Sequence, residues 1–262
     1  PQGKIFRYSD IPRNDPMTYK VLRAGEAVGA FQAESAAERA YAARLGPEHI
    51  HDLAAIIAQI RPGPIKSGVT HEYIALRNGW KRARGVPKEL EEVLGPTFGL
   101  LIYQEQVISV IAWCFGCTDA EADRFRKSLA RYDKLGTMDE AKRIFVQRTL
   151  AAHPGASEET AGEMFERNVA SWFAYGFTHG HALSFADIAE KSTFLSVHHP
   201  AAYFAGILSN QPMGYYTPMS IATEARWRGV NVLPVDINAS EDACITPDPT
   251  TIRLGFCLVT GL

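Results

Sequence analysis

Apolar positions recur at helical spacing along most of this chain. Between residues 49 and 60, Leu53, Ile56, Ile57 and Ile60 fall on one face, the pattern of an amphipathic helix. It stops at Arg61-Pro62-Gly63-Pro64, because proline lacks the N–H and restricts its predecessor. Residues 33–45 predict an Ala-rich helix ended by Gly46-Pro47. Residues 87–94 predict a short helix with proline at its start, and 104–115 predict another. Thr118-Asp119-Ala120-Glu121 is a capping box opening a helix over 120–131. Further helices are predicted over 139–152, from Ser157 to about residue 174, and from Thr217-Pro218 to Gly229.

The stretch 172–211 is the most informative. Gly176 between Tyr175 and Phe177 allows a tight turn with two rings pointing away from it. The polar run Thr178-His179-Gly180-His181 follows, and then an apolar stripe at Leu183, Ile188, Phe194, Leu195 and Val197. That stripe predicts a helix ending at His199-Pro200, followed by a second helix of small and aromatic residues. Aromatic, glycine and histidine donors at the mouth of a buried helix suit a flat ligand carrying phosphate; they also suit an ordinary core turn. Only the tail reads as extended. Residues 230–237 are β-like, and Ile252, Leu254, Phe256 and Leu258 alternate with Arg253, Gly255, Cys257 and Val259. The expected fold is mainly α, a helical domain over residues 1–230 with a short β-containing tail over 231–262.

Composition narrows the class. A chain of 262 residues, 46% apolar and 21% charged, can form one large soluble domain or two small ones. No apolar run approaches the ~20 residues that span a bilayer, so no membrane partner is expected. The N-terminal PQGKIFRYSD lacks the apolar region of a signal peptide and the initiator Met, which points to a piece of a longer protein. Four cysteines are too few for a disulfide scaffold, and a reducing cytoplasm fits.

The net charge of −2 argues against a nucleic-acid binder, but its distribution does not. Arg61, Lys66, Arg77, Lys81, Arg82, Arg84 and Lys88 gather in one stretch, and Arg124, Arg126, Lys127, Arg131, Lys134, Lys142, Arg143 and Arg148 in another. Separated patches can follow a phosphate backbone without a high overall pI; each alone is also what a solvated helix face looks like. Lys127 and Arg131 lie one turn apart, which suits a polyphosphate, since Arg offers forked donors and Lys a point charge.

Metal chemistry has little support. Cys114-Phe115-Gly116-Cys117 has ligand spacing, but Cys244 and Cys257 stand far apart in sequence, so a buried helix end is the better reading. His179 with His181, and His198 with His199, lack an accompanying HExxH or carboxylate-rich pattern. No Walker loop, GxGxxG or GxSxG occurs. Nor does an Asp-x-Asp pair of the kind that holds two cations for phosphoryl transfer.

Five segments in order carry a resemblance: GAFQAES at 29–35, RPGP at 61–64, TFGLLIYQEQV at 97–107, ADRFRKSLAR at 122–131 and YGFTHGHA at 175–182. Together they resemble the fingers region of bacterial DNA polymerase III α subunits, the C-family replicative polymerases, over nearly the whole chain. SNQPMGYYTP at 209–218, followed by VNVLPVDINAS, is more like the error-prone, damage-associated α paralogue than the main replicase. The resemblance implies a helical fingers domain that binds deoxynucleoside triphosphate and template-primer DNA. The catalytic aspartates, and the Mg2+ they hold, lie upstream in the family. Contacts with the sliding clamp and other replisome subunits lie downstream. No catalytic residue is therefore expected in this chain.

By position, the resemblance places Arg126, Lys127 and Arg131 in the basic helix beside the triphosphate, and His181 near the incoming sugar. It implies that Tyr175 and Phe177 shape the same pocket. Gln32, Ser35 and Arg61 fall in motifs near the palm junction; with Lys81, Arg82 and Arg84 they are expected contacts to nucleotide or DNA. The sequence also departs from the family. Thr178-His179-Gly180 replaces the usual Asn-Lys-Ser, removing a cation, and the basic helix carries Arg126-Lys127 and Ala130-Arg131-Tyr132. These changes fit a specialised or degenerate polymerase. Two other readings compete: a non-catalytic DNA- or partner-binding protein on the same fold, and a zinc metalloenzyme using Cys114, Cys117 and the histidines.

Overall fold

A computed structural model describes residues 7–61, 65, 68–83, 85–169 and 177–261. The chain divides into two compact units, one of residues 1–57 with 183–262 and the other of residues 58–182. Pro62 to Pro64, Lys66, Arg84, Tyr175, Gly176 and the end of the helix expected to reach residue 174 lie outside the described residues.

Helices dominate both units, as the periodicity predicts. In the first, α1 (Pro16–Ala24) and α2 (Ala36–Leu45) begin at side-chain caps, Asp15 and Ser35. Helix α3 (Ile50–Gln59) crosses the division between the units. In the second unit come α4 (Val69–Arg77), the one-turn α5 (Glu91–Leu94), α6 (Gln104–Phe115), α7 (Asp119–Leu135), α8 (Met138–Ala152) and α9 (Glu158–Met164). Helix α10 (His179–His198) leads back into the first unit, which α11 (Pro200–Ser209) and α12 (Pro218–Trp227) continue. The tail supplies three short strands, β1 (Asn231–Leu233), β2 (Ile245–Asp248) and β3 (Thr251–Arg253). Their order is β1-β3-β2, with β1 parallel and β2 antiparallel to β3. A core of Phe204, Leu208, Ile221, Ala225 and Ile252 joins this sheet to α11 and α12, so the tail is packed within the first unit.

Several boundaries differ from the sequence reading. The strand expected over 252–258 ends at Arg253. Gly255 passes so close to residues 242–243 that a Cβ there would lie 2.4 Å from Ala243 C. Phe256 to Leu258 then turn in a 3-10 helix, with Phe256 N and Cys257 N donating to Glu241 O and Asp242 O, both at 2.9 Å. Helix α7 runs past residue 131 to Leu135 and stops at Gly136. Helix α9 begins at its Ser157 cap but gives way after Met164 to a π-helical turn over Phe165–Val169.

The second unit closes over one aromatic core. Phe145 is fully buried, with ring centroids 5.3 Å from Phe115 and 5.4 Å from Phe165. Val107, Val110, Ile111 and Cys114 of α6 meet Ala122, Phe125 and Leu129 of α7 in the same cluster. In the first unit an ionic clasp ties residues 8–19 to α10. The buried Glu190 carboxylate accepts from Arg13 Nη1 at 2.9 Å, Asn14 N at 2.8 Å and Tyr19 Oη at 3.0 Å. Asp187 accepts from Tyr8 Oη at 2.9 Å and pairs with Arg13 and Lys191.

Candidate functional site

The basic helix α7 owes its form to the hydroxyl of Thr118, which accepts from Glu121 N at 3.4 Å while the Glu121 carboxylate accepts from Thr118 N at 3.1 Å. Its apolar face, Ala122, Phe125 and Leu129, is buried against α6. Arg124, Lys127, Arg131 and Lys134 recur at three- and four-residue intervals opposite that face, and all four are exposed. The sequence singles out Lys127 and Arg131, and the fold turns both outward. Arg126 differs: it is mostly covered, its Nε donating to Asp123 Oδ1 at 2.9 Å.

Asp123 is the residue that local spacing left out. Its carboxylate takes Arg126 through one oxygen and Lys127 Nζ through the other, the latter at 2.7 Å. The Lys127 hydrogen bond, with Arg126 behind it, holds the Asp123 carboxyl below the usual aspartate range. The two adjacent cations therefore share one negative partner. Among the described residues Arg131 makes no ion pair, which leaves it the freest of the three for an incoming phosphate.

The larger basic stretch does not act as one surface. Lys142 pairs with Glu166 at 2.9 Å, and both line an open depression with Arg143, Glu158 and Glu163. The Arg148 guanidinium lies 4.1 Å above the Phe115 ring. The α7 stripe presents four exposed cations on one helix.

The Phe177–His181 segment meets the other end of the α6–α7 pair. Gln104 N at the start of α6 donates to Phe177 O at 2.9 Å. Glu105 then accepts the N–H of His179 on both carboxylate oxygens, each at 3.0 Å. This acceptor, borrowed from another helix, explains why α10 starts at His179 within the polar run rather than after it. A short connection joins α6 to α7, whose apolar residues share one core cluster. At the helical rise, Arg131 lies roughly 18 Å from the start of α7, about the length of α6.

Phe177 is buried, with the Arg61 guanidinium 3.7 Å above its ring centroid and the His181 ring centroid 5.0 Å away. Its ring thus supports Arg61 and His181. His181 itself is exposed in the first turn of α10. Tyr103, capping α6, stacks on His179 at 4.2 Å; the sequence reading did not single out Tyr103. Lys81 Nζ pairs with Glu72 at 2.6 Å, and Arg82 is exposed. Gln32 and Ser35 belong to the other unit. Gln32 takes a left-handed backbone, φ 57°, and Ser35 caps α2, its Oγ accepting from Glu38 N at 3.2 Å. Tyr175 and Arg84 lie outside the described residues.

Among the described residues the metal reading finds no donor set. Cys114 is a core residue whose Sγ lies 3.2 Å from Met164 Sδ, and burial pushes its thiol up to about 12. His198 Nε2 is 2.9 Å from Asp15 Oδ2. Among the described residues no group of three or more His, Cys, Asp or Glu side chains could hold a metal ion. None of the described helices is long and apolar enough to cross a membrane.

Comparison with known proteins places this geometry. The family model of the bacterial DNA polymerase III alpha subunit finger domain matches residues 2–153. The error-prone DNA polymerase of Symbiobacterium thermophilum is 41% identical over 236 residues, 90% of this chain and 22% of that protein. That of Teredinibacter turnerae is 38% identical over 264 residues, 98% of this chain and 25% of that protein. That of Burkholderia mallei is 36% identical over 276 residues, all of this chain and 26% of that protein. The chain spans about a quarter of the length of these relatives. With a helical unit built on α6 and α7 and a family match over more than half its residues, the chain belongs to the finger-domain family of bacterial DNA polymerase III alpha subunits.

Proposed function

We propose that this chain is the finger element of a DNA-directed DNA polymerase of the error-prone type, binding the incoming deoxynucleoside triphosphate and the template-primer. The observation that carries this reading is the outward stripe of Arg124, Lys127, Arg131 and Lys134 on α7, opposite a face buried in the core. Such a stripe suits phosphate because charged hydrogen bonds to it are strong and carry no base identity. Arg131 and Lys127 are assigned to the triphosphate, Arg126 to holding Asp123, and His181 to the sugar. Magnesium, and the carboxylates that hold it, come from elsewhere in the polymerase. Clamp and replisome contacts are likewise assigned outside this chain, and the work is cytoplasmic.

The test is Arg131→Ala in a full-length polymerase that carries these residues. Each charged hydrogen bond is worth roughly 1.5–3 kcal/mol, so nucleotide use should fall about 10- to 100-fold with all four bases alike. An unchanged rate, or a loss confined to one base, removes the triphosphate assignment. Lys127→Ala should fall by less than Arg131→Ala, because Lys127 already shares Asp123.

A further inference from the structure

Trp80 stands 72% exposed just beyond the end of α4. Its backbone is firmly placed. Gly79 takes the left-handed conformation, φ 71°, and its N–H returns to Leu76 O at 3.1 Å. Trp80 N and Lys81 N both donate to Ala75 O, at 2.8 and 3.1 Å. A helix ending of this kind fixes the direction in which the next Cα–Cβ bond leaves the backbone. Among the described residues no ring contacts the indole. Beside it Arg82 is exposed, and Lys81, half exposed, pairs through Nζ with Glu72 at 2.6 Å.

A bare indole on fixed backbone, with cations beside it, has the makeup of a base-stacking platform. We propose that Trp80, with Lys81 and Arg82, binds single-stranded DNA by stacking on one unpaired base while the cations meet the flanking phosphates. In a duplex each base face is covered by its neighbours, so only an unpaired base can offer one to the indole. A protein partner fits less well: over residues 77–83 no other large apolar side chain accompanies the indole, and lysine is depleted at the centre of protein interfaces. The inference rests on the DNA-binding reading above and adds base contact to phosphate contact.

The experiment compares, by fluorescence anisotropy, binding of this chain at low salt to a short oligothymidine and to an abasic strand of equal length. Stacking should give oligothymidine an advantage of about 10-fold. Trp80→Ala should bring it down to the abasic level, and Trp80→Phe should keep part of the advantage. The salt dependence of all three should be the same, because the cations remain. Unchanged circular dichroism checks that the exposed substitution leaves the fold intact. Equal binding of the two strands by the unsubstituted chain, or an advantage that survives Trp80→Ala, overturns the stacking role and leaves phosphate binding standing. Failure to bind either strand at low salt overturns both.

Discussion

At the scale of single residues, charge in this chain is divided rather than pooled. Asp123 meets both Arg126 and Lys127, so its folded carboxyl is held below the ordinary value of about 3.9. A lowered folded value means that the pair stabilises the native state above the ordinary value. That contribution is lost as pH falls through the folded value. In an NMR titration Asp123 should therefore protonate at unusually low pH, and Lys127→Ala should move it upward. A normal Asp123 titration in the unsubstituted chain would contradict the pairing. His181 gives a second test, in a full-length polymerase that carries these residues. If its ring crowds the sugar, His181→Ala should relax discrimination against ribonucleotides more than it lowers deoxynucleotide use. If the ring serves only to cover Phe177, 5.0 Å away, both nucleotide classes should suffer alike. Matched deoxy and ribo single-nucleotide incorporation separates the two outcomes.

Elements obeyed local rules where their ends are set locally. Thr118 and Glu121 predict the start of α7 from four residues, and the structure has both reciprocal bonds. Thr118→Ala should therefore cost about 1 kcal/mol, read by denaturant unfolding with unchanged slope. The start of α10 was not legible for the opposite reason: the carboxylate that receives the His179 N–H belongs to Glu105, on another helix. Helix α4 was missed because its N-cap, Gly68, offers no side chain, and β2 because Ile245 to Asp248 carries proline and little alternation. The outward stripe on α7 was legible from spacing alone. That Asp123 would claim both Arg126 and Lys127 was not, since an i, i+3 and an i, i+4 partner compete equally on paper. Nor was the placing of Arg61, distant in sequence, over the Phe177 ring.

For the whole molecule, the net charge of −2 is a poor guide to partners. Lys142, Arg143 and Arg148 face carboxylates or a ring, and the acidic residues near them sit on α8 and α9. Arg124, Lys127, Arg131 and Lys134 on α7 and, after α4, Arg82 beside Trp80 are exposed. A protein of this kind should bind DNA through few phosphate contacts. Each phosphate neutralised releases condensed counterions, so the slope of log K against log salt counts the contacts, at roughly 0.9 per phosphate on duplex DNA. Four cations on α7 set a ceiling of about four on that helix, and the slope should be no steeper than about −4 once Lys81 and Arg82 are replaced by alanine. Affinity should be indifferent to base sequence in a duplex, because phosphate contacts position without specifying. Reversing Arg131 and Lys134 to glutamate should flatten the slope by about two and leave the helical content unchanged, since neither touches the core. Binding that is insensitive to salt, or that selects one duplex sequence, would mean that DNA meets some surface other than this stripe.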